Sequence, residues 1–333
     1  MRLARPMILA CWLLVTAPLL AGQPAEDFEG RIAALEDRRE SLDRRLVSID
    51  VSTGERETLL DDVLYSFDSF DDQHLTRSPS GKRLALNATV GERSSPNQPL
   101  GLYVVDVSSR EAKRVWRENH VQCFAFSPDE RQITFTSTWE LWVHDLDAGE
   151  SRLLVTDEAD RRGWGRGLAW SSDGRHIYAT RSGQGGGHVV VDARDGSLEP
   201  LPAPSAHRIA AWLPGDVIYF MRKLDGEYYG PQSLIRWKPG GSPKILAEDL
   251  SRDLGVAVDV QGSKIAYTQR ATGQIVVKHI GGSASKLGKG LWPSFSPGGD
   301  ALVFESARRI SIHDLESGES KDLGEGIRPV WIR

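Results

Sequence analysis

From residue 46 to the last residue, short apolar runs alternate with polar turns, and one strand-turn-strand phrase keeps returning. Its clearest copies read Ser127-Pro128-Asp129-Glu130-Arg131-Gln132-Ile133-Thr134-Phe135 and Ser171-Ser172-Asp173-Gly174-Arg175-His176-Ile177-Tyr178. Two more begin at Ser78 and Ser296, and two worn copies surround Pro214 and Gly262. Taking the last turn residue as Gly81, Glu130, Gly174, Gly215, Gly262 and Gly299, the steps are 49, 44, 41, 47 and 37 residues. The strands alternate or run wholly apolar, as at Val121, Phe124 and Phe126, which suits sheets packed between other sheets. Pro presets φ in such turns, Asp and Ser bond their own backbone, and Gly supplies positive φ. These residues are therefore assigned to turns and not to chemistry.

A second phrase interleaves with the first. Ser48-Ile49-Asp50-Val51-Ser52-Thr53-Gly54-Glu55 is a strand with a tight turn, echoed at Val105, His144, Val191, Arg236, Lys278 and His313. A period of roughly 40–45 residues with several short strands per unit predicts an all-β fold, a β-propeller. Seven outer hairpins stand against six inner ones. The mismatch resolves if the last strand, around Pro329-Val330-Trp331, shares a blade with the N-terminal hairpin. That pairing closes the ring and removes two sheet edges. The prediction is seven blades, the closing one short of a strand, with a six-bladed ring and a decorated N-terminus as the alternative.

Composition fits one large propeller domain over residues 45–333: 40% hydrophobic residues, ten Trp and a formal charge of -5. No basic run or basic-aromatic stripe is present, so nucleic acid is not an expected partner. Residues 1–22 read as an export signal of the general secretory type, with Arg2 and Arg5 ahead of an apolar stretch from Met7 to Leu20. That stretch is too short to span a bilayer. The expected location is periplasmic or secreted, as a monomer with no transmembrane segment. Residues 23–44 are polar and charge-rich, with Phe28, Ile32, Leu35 and Leu42 spaced as on a thin helical stripe, so a short N-terminal helix is predicted. Cys123 is the one Cys beyond the signal and is expected to be a buried, inert thiol.

The Ser-Pro-Asp-Gly type of turn, followed by Asp-Leu-x-x-Gly-Glu in the outer hairpin, resembles the WD-like repeats of the TolB β-propeller. The same repeat type occurs in the propeller of prolyl oligopeptidase-family peptidases. No Gly-x-Ser-x-Gly occurs in the sequence, and a counterpart of the α/β domain that precedes the TolB propeller is not expected. The resemblance implies an exported propeller used as a recognition platform.

Loops at the start of the inner strands would surround one mouth of the central channel, and function is expected there. His74, His120, Arg166, His207, Arg208 and Arg328 start inner strands in five blades, a cationic funnel in an acidic protein. Tyr228 and Tyr229 sit in a long loop on the same face. Asp61, Asp62, Asp68, Asp71 and Asp72 crowd the first connecting loop, either as a Ca²⁺ site or as a solvated surface, the latter preferred because the spacing lacks an EF-hand pattern. His144, His279 and His313 recur with the repeat and are read as architectural. No catalytic residue, metal or cofactor is assigned. The expected function is a non-enzymatic scaffold that binds a protein or peptide, an acidic partner being the one that suits the funnel. The alternative is a propeller enzyme or carbohydrate-binding protein for an anionic sugar, with a metal in the channel.

Overall fold

A computed structural model describes residues 30–37, 44–64, 75–90, 101–117, 121–156, 163–181, 187–202, 208–215, 217–223, 231–251 and 255–332. These residues form strands, turns and irregular links, with no helix among them. The chain opens with β1 (Arg31–Asp37), β2 (Arg44–Asp50) and β3 (Arg56–Leu64). Next come β4 (Leu75–Arg77), β5 (Arg83–Val90), β6 (Gly101–Asp106) and β7 (Ala112–Trp116).

Five separate four-stranded antiparallel sheets follow. The first holds β8 (Val121–Phe126), β9 (Gln132–Ser137), β10 (Glu140–Asp145) and β11 (Glu150–Thr156). The second holds β12 (Trp164–Trp170), β13 (His176–Arg181), β14 (His188–Asp192) and β15 (Leu198–Leu201). The third holds β16 (Arg208–Leu213), β17 (Val217–Lys223), β18 (Gln232–Trp237) and β19 (Lys244–Leu250). The fourth holds β20 (Val256–Val258), β21 (Lys264–Thr268), β22 (Gln274–His279) and β23 (Ala284–Lys289). The fifth holds β24 (Leu291–Phe295), β25 (Ala301–Ser306), β26 (Arg309–Asp314) and β27 (Ser320–Glu325). The last strand, β28 (Ile327–Trp331), returns to the start and pairs antiparallel with β1, Ile32 opposite Trp331 and Ala33 opposite Val330. The order there is β28-β1-β2-β3, joined to the β4–β7 group by a short pairing of Val63 with Val90 and Leu64 with Thr89.

Closure by the two chain ends is thus as the sequence predicted, but two details differ. The helix expected over residues 23–44 is not what forms, because residues 31–37 are strand β1. The remaining residues of that segment lie outside the described ones, apart from Gly30 and Arg44. Consequently the closing sheet is not short of a strand: β1 supplies the fourth. The physical reason lies in burial on both faces. Ile32 and Ala34 enter one apolar cluster with Val303, Ile312 and Trp331, while Ala33 and Leu35 enter another with Leu84, Leu86 and Ile332. A sheet covered on both sides needs a continuous apolar run, which four small or aliphatic residues between charged ends provide. Asp61 and Asp62, expected in a connecting loop, lie on β3, and the other three acids of that group lie outside the described residues.

The same two-faced burial recurs around the molecule. Tyr178 packs with Ile209 and Ile218 on one side of β13, whereas Ile177 and Ala179 pack with Leu141 and Leu168 on the other. Among the described residues there are seven buried apolar clusters, each joining one group of four strands to its neighbour.

The turn residues act as the sequence suggests. Ser127 Oγ bonds Asp129 at 2.6 Å and accepts the Gln132 N–H at 2.9 Å, and Ser171 does the same with Asp173 and His176 at 2.6 and 3.0 Å. In the outer hairpins Asp50 accepts bonds from the backbone and hydroxyls of Ser52 and Thr53, which hold its carboxyl down at about 2. Glu130 takes the left-handed φ of +60° where other copies have glycine. Its carbonyl accepts Arg83 Nη1 at 2.7 Å and its carboxylate accepts Ser80 Oγ at 2.7 Å, stitching neighbouring sheets together. His144 and His313 each bond a serine on the paired strand, Ser151 and Ser320, both at 2.8 Å. Their recurrence is architectural. Cys123 is buried on β8, and its sulfur accepts the Gly167 N–H at 3.1 Å.

Trp331 and Ile332 are each 1% exposed, and the Ile332 carbonyl lies where a Cβ on Gly81 would fall, 1.8 Å away. Only glycine fits at that turn, which also has φ of +72°. Truncation after Gly326 removes β28 and uncovers the β1 edge. The loss of two large buried side chains at roughly 1.5–3 kcal/mol each should lower the melting temperature by many degrees or abolish folding. Thermal unfolding of the truncated chain checks this, and a melting curve like that of the full chain would exclude the closure.

Burial, assisted by the Lys113 charge, holds the His144 imidazole below its ordinary value of 6.5, and the Asp145 charge opposes this. The folded state therefore prefers neutral His144. Stability from this preference is present above pH 6.5 and is lost as pH falls through the lower folded value. Urea midpoints should fall between about pH 7 and pH 5, and His144→Gln should flatten part of that fall.

Candidate binding site at the channel mouth

The innermost strands β4, β16, β20, β24 and β28 line one central cavity, the channel. The ladder is irregular in several inner strands. Register shifts occur between Val121 and Phe124, Trp164 and Leu168, Ile209 and Ala211, and Leu291 and Ser294. A further shift lies in β1 between Ala33 and Leu35, opposite the start of β28. Bulges bend the strand and re-aim a side chain.

Two of these irregular strands hold strained residues. Trp292 has φ of +55° and Arg328 has φ of +51°, an arrangement unusual for any bulky residue. Strain of this kind persists only where the surroundings enforce it, and it gathers at functional sites. The Arg328 guanidinium lies 4.2 Å from the centre of the Trp292 ring, within cation–π range. Gly255 immediately precedes β20, and a Cβ there would come within 3.0 Å of Trp292 Cα. A larger residue there would displace Trp292.

Arg328 does not stand as a bare charge. Its N–H donates to Glu305 Oε2 at 3.1 Å, and Glu305 also faces the charge of Arg44. Burial pushes the Glu305 carboxyl up, while the Arg328 N–H and the two guanidinium charges pull it back. Burial lowers Arg328 to about 10, the Glu305 charge opposing this, so it stays protonated at neutral pH. Arg44, 5% exposed, donates to Asp37 Oδ1 at 2.7 Å, and Arg308 pairs with the second oxygen of that carboxylate. The rim beside β28 is therefore a ladder of alternating Arg and acid side chains.

Below the rim is a cavity of about 360 Å³ lined by β4, β16, β20, β24 and β28. Arg77, Thr76, Asp259, Ser294 and Arg328 supply its polar character. Asp259 is occupied by its own turn, accepting the N–H groups of Ser263 and Lys264 at 2.7 and 2.8 Å and the Ser263 hydroxyl at 2.6 Å.

Of the residues selected from the sequence, Arg328 is at the mouth, and Arg166 and Arg208 lie on inner strands β12 and β16. The side chains of Arg166 and Arg208 lie outside the description, as do His74, His120, His207, Tyr228 and Tyr229 altogether. Sequence reasoning missed Trp292, Glu305, Arg44 and Arg77. Trp292 and Arg328 share a signal that was available, since each precedes a proline and stands three residues before the last aromatic residue of its inner strand. Among the described residues no group of three His, Cys, Asp or Glu is arranged to hold a metal ion, and no helix is long and apolar enough to cross a membrane.

Glu305→Ala would remove the buried carboxylate that faces the Arg44 and Arg328 charges. It should cost about 3 kcal/mol, the scale for breaking a buried charge pair, with Glu305→Gln costing less. Chemical denaturation of both variants measures the difference.

A profile of the dipeptidyl peptidase IV (DPP IV) N-terminal region matches residues 78–185. No curated protein matches the sequence. Among solved structures, TolB from Acinetobacter baumannii is 19% identical with a TM-score of 0.52, the match covering 94% of this chain and 69% of that one. An oligogalacturonate lyase from Vibrio parahaemolyticus is 13% identical with a TM-score of 0.60, covering 90% of this chain and 87% of that one. A prolyl endopeptidase is 16% identical with a TM-score of 0.60, and the match spans 89% of this chain but only 48% of the peptidase. At these identities the likeness concerns fold, and the fold is that of TolB-like and peptidase-like β-propellers.

Proposed function

We propose that this TolB-like propeller has seven blades and serves as an exported, non-enzymatic scaffold that binds a protein or peptide at the channel mouth. The observation that carries the reading is the Arg328–Trp292 pair, held at positive φ beside the rim of a cavity of about 360 Å³. Arginine and tryptophan are favoured anchors in recognition surfaces, and a strained pair at the mouth is poorly explained by folding alone. Seven apolar clusters between groups of four strands support the blade count. Residues 1–22 support export to the periplasm or beyond.

An acidic partner fits the sequence-derived funnel of His74, His120, Arg166, His207, Arg208 and Arg328, with Tyr228 and Tyr229 as neighbouring contacts. A second reading draws on the oligogalacturonate lyase fold, which aligns over most of both chains. It makes the protein an enzyme or carbohydrate-binding propeller for an anionic sugar, with a metal in the central channel. Metal analysis of the purified full chain separates the two readings: a stoichiometric divalent ion favours the sugar site.

The direct test replaces Arg166, Arg208 and Arg328 together with Gln. Binding to acidic peptides should weaken at least tenfold, and its salt dependence should flatten, because fields of this kind are screened beyond about 8 Å at physiological ionic strength. In the wild type, affinity should rise as pH falls towards about 6, where imidazoles gain charge. Unchanged affinity and salt dependence in the triple variant would move the site to the Tyr228–Tyr229 loop.

A further inference from the structure

The register of the innermost hairpins identifies one position that is equivalent in every group of four strands. It is the residue that faces the first large aliphatic residue of the second strand. The pairs are Phe126 with Ile133, Trp170 with Ile177, Trp212 with Ile218, Val258 with Ile265, Phe295 with Leu302 and Trp331 with Ile32. The seventh pair is Arg77 with Leu84. Six copies of the position are apolar and pack between sheets; the seventh is an arginine.

Arg77 lines the channel cavity. Burial is what lowers its affinity for the proton. Among the described residues it has no hydrogen bond or ion pair, in contrast to Arg44 and Arg328, which have carboxylates beside them. Asp259, the acid on the same cavity wall, is taken up by Ser263 and Lys264. Arg77 is half-buried, and a partly desolvated guanidinium with no counter-charge among the described residues carries a cost that the six apolar counterparts avoid.

We infer that Arg77 is an anion subsite within the channel, and that it receives a carboxylate of the ligand. The planar guanidinium fork matches a carboxylate through two parallel hydrogen bonds. Arg77 supplies the charge, and Thr76 and Ser294 supply hydroxyls in the same cavity. A volume of about 360 Å³ is within the range for small-ligand sites. The inference rests on the channel as the binding place proposed above, but it concerns its depth and not its rim.

Calorimetric titration of the full chain with glutarate and with acetylated tetraglutamate, at fixed ionic strength, tests it. Wild type should bind at least one probe saturably, and Arg77→Met should weaken that binding at least tenfold. Arg77→Met should also raise the melting temperature of the ligand-free protein, since the substitution restores the apolar character of the six counterparts. Arg77→Lys, which keeps the charge without the fork, should retain part of the affinity and serves as the second variant if Arg77→Met fails to fold. Tighter binding of glutarate points to a small acid as ligand, and tighter binding of tetraglutamate to an acidic side chain of a partner. Arg328→Gln, assayed alongside, reports on the rim: loss there with full affinity in Arg77→Met would overturn the subsite and leave the rim intact. Binding of neither probe to wild type, or a preference for inorganic phosphate over both, would also overturn it.

Discussion

Everything in this molecule depends on the pairing of its last strand with its first. A sheet that ends in an open edge presents unpaired N–H and C=O groups and an uncovered apolar face. Here β28 fills that edge from inside the ring, between the channel and β1, so the first and last segments of the chain share one sheet. The join is made apolar by Trp331 and Ile332, which enter different clusters on either side of that sheet. It is also braced by charge: Arg56 donates to the Glu325 carbonyl at 2.7 Å, and Lys321 to the carbonyls of Val51 and Ser52 at 2.8 and 2.6 Å. These contacts connect residues nearly the whole chain apart. The ring is therefore complete only once its last strand has paired.

Closure also explains where the polar chemistry collects. Within the sheets, both faces are consumed by packing, and the turn acids are consumed by their own backbone. Freedom remains only at the ends of the inner strands, where the ladder can bulge without opening an interface. The mouth beside β28 is such a place. Arg44, Glu305 and Arg328 come from three strands in two neighbouring sheets, and none could be placed there by local sequence alone. Their alternation of sign lets buried cations persist near the channel without a net excess of charge at any one of them.

The repeat itself was legible because turn chemistry is local. Ser127 and Asp129 announce a turn through atoms two residues apart, and His144 and His313 betray their shared role by recurring at the same point of the outer hairpin. Strand β1 was misread because Ile32 and Leu35 also sit three residues apart, as on a helix, and because the alanines between them carry little hydrophobic signal. What decides for a strand is that Ala33 and Ala34 face opposite clusters, a fact about neighbours and not about spacing. Arg328 was visible as a cation at the start of a strand. Its dependence on Glu305 was not, since that contact spans 23 residues and two sheets.

Repeats offer a comparison that a single domain lacks, because each copy shows what the others require for folding alone. A position that is aromatic or aliphatic six times sets the structural demand, and Arg77 fails to meet it. The local turn is otherwise ordinary: Ser78 still accepts the Arg83 N–H through its hydroxyl at 3.1 Å, and Gly81 still supplies positive φ. The departure is thus confined to one side chain, and that side chain lies against the channel. If folding were its whole purpose, an apolar residue would serve better at lower cost, since a half-buried guanidinium gives up part of its hydration. A guanidinium retained at such a point fits an acidic group that enters the channel and meets it.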